Sequence, residues 1–205
     1  MKLKKLAAGI VLASIAPLAM AAENVGPYIG GNFGFASVDT GAEMQNTVNS
    51  IVALGYTSAN MTMEQRSSSY KLFGGYQANE NFAVEGYWAN LGTYSYTLFT
   101  TGPTLSGNGD IKETAIGVDL IGMLPFDPTT SGFARVGVYQ WEVKDSFTLS
   151  TGQSFSDSTS GSDIKFGLGA EWKVNPSIRL RTEWEYYNDK DTPVSVLSVG
   201  IVSHF

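Results

Sequence analysis

The chain has no cysteine and a single histidine, His204, in 205 residues. No disulfide can staple it, so its stability has to come from other contacts, and zinc chemistry lacks its usual ligands. Charge is sparse, and the formal balance of −6 leaves no basic surplus. A nucleic-acid binder carries a basic patch, so that class is excluded as a partner. Beyond the first twenty or so residues, no segment reaches the ~18 consecutive apolar residues that a membrane-crossing helix needs.

The N-terminus is a separate matter. Lys2, Lys4 and Lys5 precede an apolar run from Leu6 to about Leu18, and Ala19-Met20-Ala21 ends it with small residues at the two positions a signal peptidase reads. This is the three-part layout of a secretory signal, expected to span 1–21 and to leave a mature chain of 22–205. The run is too short for an anchor that spans a bilayer. Removing its three lysines takes the formal charge from −6 to −9. What remains is rich in Gly (22 of the chain's 23), Tyr (10) and Phe (11). Without an apolar helix, a membrane-spanning chain has one option left, a closed β-barrel.

Alternation with a period of two recurs through the mature chain and defines eight expected strands, at about 27–38, 66–77, 81–95, 110–124, 131–146, 161–174, 177–188 and 194–205. Three connections are short and rich in Asn, Asp and Pro, around Asn79, Asp127 and Asn175. The connections between them, about 39–65, 96–109, 147–160 and 189–193, are expected to be loops, most of them longer. Short turns at one end and long loops at the other are the pattern of an outer-membrane barrel, with its turns in the periplasm.

Each strand carries one nearly uncharged face. Ile164, Phe166, Leu168 and Trp172 alternate with Asp163, Lys165, Gly167, Gly169 and Glu171; Leu180, Trp184 and Tyr186 alternate with Arg179, Arg181, Glu183 and Glu185. In a soluble barrel the apolar face points inward; in a membrane barrel it meets lipid. Glycine decides between them. Gly30, Gly34, Gly75, Gly117, Gly137, Gly167, Gly169 and Gly200 all sit on the charged face. A solvent-facing strand gains nothing from glycine, whereas a narrow lumen needs small residues beside bulky ones. Aromatics are expected in two bands, Tyr28, Tyr76, Phe82, Phe133, Trp172 and Phe205 near the turns and Tyr70, Trp88, Trp184 and Tyr186 towards the loops. The expected fold is all-β, an eight-stranded antiparallel up-and-down transmembrane β-barrel.

Several segments resemble the OmpA-like transmembrane β-barrel family of small outer-membrane proteins. They are Gly26-Pro-Tyr-Ile-Gly-Gly31, Tyr70-Lys-Leu-Phe-Gly-Gly-Tyr-Gln77, Asn81-Phe-Ala-Val-Glu-Gly-Tyr-Trp-Ala-Asn-Leu-Gly92, Phe166-Gly-Leu-Gly-Ala-Glu-Trp-Lys-Val-Asn-Pro176 and Arg179-Leu-Arg-Thr-Glu-Trp-Glu185. The resemblance covers the mature chain and implies the fold more strongly than any activity. It also implies an assembly signal for the barrel-assembly machinery at Ser198, Gly200 and Phe205, from which Ser203 departs. Two-domain relatives append a peptidoglycan-binding domain; the chain stops at the barrel, so no cell-wall anchor is expected.

Inward charges are the most chemical-looking set. They comprise Lys71, Glu85, Asp119, Arg135, Lys165, Glu171, Arg179, Arg181, Glu183 and Glu185, with Glu113 and Asp163 on the same faces. An eight-stranded barrel is only wide enough for side chains to fill, so paired charges there are expected to form a plug that holds the barrel together. The resemblance implies the same, with Glu85 and Arg181 at matching positions of the family's interior network. A gated narrow pore is the alternative. A hydrolase needs a nucleophile with a base in reach, and His204 sits one residue from the chain end; a lipid A-modifying enzyme is therefore a distant third reading. No cofactor and no metal site are expected. Asp189-Lys190-Asp191 reads as a solvated cluster, with contact to a divalent ion or a sugar headgroup as the alternative, and the stretch 39–65, with Met44, Val48, Ile51, Val52 and Leu54, as either a short helix or a hairpin. The expected role is structural and surface-exposed, without catalysis. Outer-membrane lipid, lipopolysaccharide, the assembly machinery and an unidentified surface ligand are its expected partners.

Overall fold

The structure, a computed structural model, describes residues 25–102, 104–189 and 192–205, without the side chains of residues 42 and 43. The expected signal peptide at 1–21 lies outside the described residues. In chain order the elements are β1 (Gly26–Val38), α1 (Gly41–Ala53), β2 (Ser58–Met63), β3 (Arg66–Gln77), β4 (Phe82–Thr101), β5 (Leu105–Pro125), β6 (Thr130–Leu149), β7 (Ser154–Lys173), β8 (Ile178–Tyr187) and β9 (Val194–His204).

Eight strands close into a ring. β1 pairs with β3, each later strand pairs antiparallel with the next, and β9 returns to β1, with Tyr28 opposite His204 and Val38 opposite Val194. Closure leaves the spanning part without a free edge, the condition for backbone groups to survive in hydrocarbon. The three short turns share one device. In each, an Asn or Asp carboxyl or amide oxygen accepts the backbone N–H groups two and three residues on: Asn79 from Asn81 and Phe82, Asp127 from Thr129 and Thr130, Asn175 from Ser177 and Ile178.

The outer face is apolar and exposed. Leu72, Val84, Ile116, Val118, Leu120, Val136, Val138, Ile164, Leu168, Leu197, Val199 and Ile201 all project outward. A water-soluble fold would not leave so broad an aliphatic surface open; a hydrocarbon belt accounts for it. Trp88, Trp184 and Trp172 mark its margins. Two aromatics assigned to the outer bands belong elsewhere. Tyr28 (4% exposed) and Phe133 (6%) point into the lumen, because they share strand parity with Asn32 and Arg135.

Inward glycines are spacers for bulky neighbours. Gly169 lies directly across from Phe133, Gly75 from Tyr28 and Gly30 from Phe73. A β-carbon on any of the three would run into the facing ring. Small-beside-large pairing is how a tapering interior is filled without voids.

Two expected loops are in fact strand. β4 to β7 run for 20 or 21 residues, roughly twice the ~9–11 that cross a bilayer. The outer parts of β4 to β7 thus form a wall standing above the membrane, and a tight hairpin at 150–153 joins β6 to β7. The stretch 39–65 holds both α1 and β2. α1 turns Met44, Val48 and Ile51 to its half-buried side, while β2 pairs with the raised part of β4 outside the ring.

β4 also changes face partway along. Leu91 is an extra residue between Asn90, opposite Thr114, and Gly92, opposite Glu113. Gly92 takes a φ of +127°, and its N–H donates to the Asn90 side chain at 3.0 Å. Below this bulge Glu85 and Tyr87 point inward; above it Tyr94 and Tyr96 do. A regular strand would have sent both tyrosines outward.

Substituting Val136→Arg in the middle of the belt is expected to destabilise the folded barrel by ~2–4 kcal/mol, read by urea unfolding in lipid vesicles. In the same assay Gly169→Ala should cost about 1–3 kcal/mol through its collision with Phe133. Gly122→Ala, whose β-carbon meets nothing, should stay within about 0.5 kcal/mol.

Candidate functional site

The lumen is where the chain gathers its charge. Alternation turns Lys71 of β3, Glu85 of β4, Asp119 of β5, Arg135 of β6, Lys165 and Glu171 of β7, and Arg179, Arg181, Glu183 and Glu185 of β8 to the inside. All ten are buried, none more than 6% exposed. Five are acidic and five basic, so the set is formally neutral.

They form one connected network. Near the end with the short turns Glu171 bridges Arg179 at 3.0 Å and Arg181 at 2.7 Å. Arg181 reaches on to Glu85 at 2.7 Å, and the other oxygen of Glu85 accepts from Arg135 at 2.8 Å. Arg135 holds Asp119 at 3.0 Å and meets Glu183 at 2.6 Å, the latter a charge contact without good hydrogen-bond alignment. Lys165 bridges Asp119 and Glu185, and Lys71 bridges Glu183 and Glu185, closing the chain of contacts. A buried charge without a partner costs several kcal/mol, so mutual neutralisation is what allows ten of them in one dry space.

Residues outside the charged set complete the layer. Tyr28 of β1 donates to Glu85 at 3.1 Å, and Asn32 of β1 donates to Glu183 and to Ser198 of β9. Every strand of the ring therefore contributes. Rings floor the cations, Tyr87 lying 3.8 Å from the Lys165 ammonium and Phe73 4.5 Å from the Arg181 guanidinium. The sequence reading missed Tyr28 and Asn32 as members, although their parity with Gly30 and Gly34 was the available signal.

Two inward acids stand apart. Asp163 is half-buried and accepts from Asn188 at 3.4 Å. Glu113 lies above the apolar belt, since its outward neighbours Thr114 and Lys112 are polar, and its Oε1 has no hydrogen-bond partner. Burial, reinforced by the charge of Asp189, pushes its carboxyl up to about 8.

The network separates two cavities. One, at the short-turn end and of about 330 Å³, reaches Gln77, Met123, Glu171 and Arg179; the outer one, of about 540 Å³, lies under α1 and β2 and reaches down to Tyr94 and Glu113. Beside Lys71 and Glu185 lies a gap of about 10 Å³, at the lower limit for one water molecule.

The other residues singled out earlier lie on or near β9. Ser198 is buried and bonded to Asn32, Gly200 faces Asn32 with no room for a β-carbon, and Phe205 is exposed with its N–H donated to Pro27. His204 stacks on Tyr28 with ring centres 5.1 Å apart. Of the Asp189-Lys190-Asp191 cluster, Lys190 and Asp191 fall outside the described residues.

Comparison with known proteins agrees with this architecture. Outer membrane protein A of Shigella flexneri is 27% identical over 166 residues, 76% of this chain and 45% of that protein. Its namesake in Salmonella typhi is 27% identical over 190 residues, 84% of this chain and 52% of the other. The chain thus spans about half the length of the curated relatives it matches. Among solved structures, the attachment invasion locus protein Ail of Yersinia pestis, in complex with the heparin analogue sucrose octasulfate, superposes with a TM-score of 0.52 at 16% identity, covering 88% of this chain and 99% of that one. Neisserial surface protein A gives 0.52 at 14%, covering 87% and 97%. At such identities the likeness is one of fold. The model of the outer membrane protein beta-barrel domain matches residues 6–205. The chain belongs to that family, and it resides in the outer membrane.

Proposed function

We propose that the mature chain, 22–205 once a signal peptide at 1–21 is removed, is a structural barrel that carries a surface-exposed wall and loops, with a sealed lumen and no catalysis. The observation that supports this most directly is the neutral, ten-membered ion network drawn from six strands, with about 10 Å³ of free space beside it. Its acids are engaged by arginine and lysine rather than poised against a substrate, which argues against an acid–base pair at Glu183 and Glu185. Lipid and lipopolysaccharide against the outer belt, and the barrel-assembly machinery through Ser198, Gly200 and Phe205, are its proposed partners. Ail was solved with a polysulfated sugar analogue. The outer cavity of this chain is lined with Glu113, Asp145 and Asp189, which disfavours a ligand of that charge here.

Planar-bilayer recording tests the seal. The refolded protein should show no steady, discrete openings. Regular openings whose size changes on Glu85→Gln or Arg181→Gln would replace the plug with a narrow pore. In urea unfolding, Glu85→Gln is expected to cost ~3–5 kcal/mol, because it deprives both Arg135 and Arg181 of a partner. Glu142→Gln, at an exposed pair with Lys144, should change stability by no more than about 1 kcal/mol.

A further inference from the structure

The outer cavity has a composition that the structural role does not use. Its wall is apolar and pliable, with Met44 from α1, Met61 and Met63 from β2, Leu98 from β4, Ile111 from β5 and Phe147 from β6. The rim is half-exposed or exposed, as at Thr47, while the floor is buried, with Tyr94 at 1% and Glu113 at 4%. The parity change at Leu91 is what puts Tyr94 and Tyr96 into it. Among the described residues lining the cavity there is no lysine or arginine, and there are three acids. Asp145 already accepts from Tyr96 at 3.0 Å, whereas the Oε1 of Glu113 accepts from nothing.

A buried carboxyl oxygen left without a donor costs free energy that packing has not removed. Elsewhere in the lumen such an acid is met by Arg or Lys. Here it faces an apolar well wide enough for a small molecule. We propose that this well binds a small organic cation with an apolar body, an amine or quaternary ammonium, whose charge pairs with Glu113. Methionine and tyrosine suit such a guest, thioethers by fitting an irregular apolar shape and aromatic faces by attracting cationic carbon and nitrogen. A bare divalent ion fits less well, since hard cations seek oxygen ligands and most of this wall is carbon and sulfur.

Binding also moves a proton. Among the described residues, the groups around Glu113 are Tyr94 from β4, Tyr139 and Asp145 from β6, and Asp189 from the β8–β9 connection, none of them cationic. With its carboxyl raised to about 8, Glu113 is mostly neutral at pH 7 in the empty well. An arriving cation favours the carboxylate, so the acidic proton passes to buffer as the ion pair forms, and affinity should rise with pH through about 8 and then level off. This inference adds a ligand to the surface role and stands whether or not the lumen conducts.

Titration calorimetry on the barrel refolded in phosphatidylcholine vesicles, with empty vesicles as reference, tests it. The probes are benzyltrimethylammonium, the neutral benzyl alcohol and the anion benzenesulfonate. Saturable binding of the ammonium at ~1 mM or tighter is expected, with the other two at least about tenfold weaker. Glu113→Gln should weaken the ammonium at least about tenfold and abolish its pH dependence. Thr47→Lys, on the exposed rim, should weaken it without disturbing the floor, which keeps the test decisive if the Glu113 variant folds poorly. Glu142→Gln, on the outer face, should leave binding unchanged. Equal binding of all three probes, no saturable heat, an unaffected Glu113→Gln variant, or a preference for calcium chloride over the ammonium would each overturn the proposal.

Discussion

Closing eight strands leaves an interior that neither lipid nor bulk water can fill, so every inward side chain must be matched by another. The rest of the structure follows from that constraint. Glycine stands opposite tyrosine and phenylalanine because two large residues cannot share one level of the lumen. Lysine and arginine stand among carboxylates because an unmatched charge there would cost more than the marginal stability of a domain allows. The five acids and five bases from six strands neutralise one another, and Tyr28 and Asn32 tie in the remaining strands. The network thus links elements distant in sequence, with Glu85 and Arg181 96 residues apart.

Much of this was legible from alternation alone. The ring of eight strands, the direction of the apolar face and the inward set from Lys71 to Glu185 all depend on a period of two, which charge and glycine make easy to phase. Where alternation fails, so did the reading. Nothing in the hydropathy of 96–109 or 147–160 separates strand from loop, because a hairpin standing above the membrane has water on its outer face and needs no apolar stripe there. Polar, Ser/Thr-rich strands look like loops. The bulge at Leu91 left only a faint trace, an Asn and a Gly flanking an apolar residue within a strand. Tyr28 and Phe133 were misassigned because aromatic bands were read by height along the strand rather than by face.

The bulge and the tall strands together give the barrel two unlike ends. At one end, Asn79, Asp127 and Asn175 close three compact turns. At the outer end, β4 to β7 rise well past the belt while β1, β3, β8 and β9 stop near it, and α1 with β2 stands on the low side. The result is a half-walled well above the packed ion network. Family membership settles where the molecule sits, and the relatives' low identity leaves the chemistry of that well to its own residues. Among the described residues, Glu113 is an inward acid above the network with a buried oxygen that has no hydrogen-bond partner, in contrast to Glu85, which meets three donors.

A double-mutant cycle on Glu85 and Arg181 probes the interlocked lumen most directly. Urea unfolding in lipid vesicles would be compared for the parent, Glu85→Gln, Arg181→Gln and the double variant. The expected result is a coupling of about 1–3 kcal/mol, the double variant losing less than the two single losses combined. Additive losses would contradict a lumen held shut by mutual charge neutralisation.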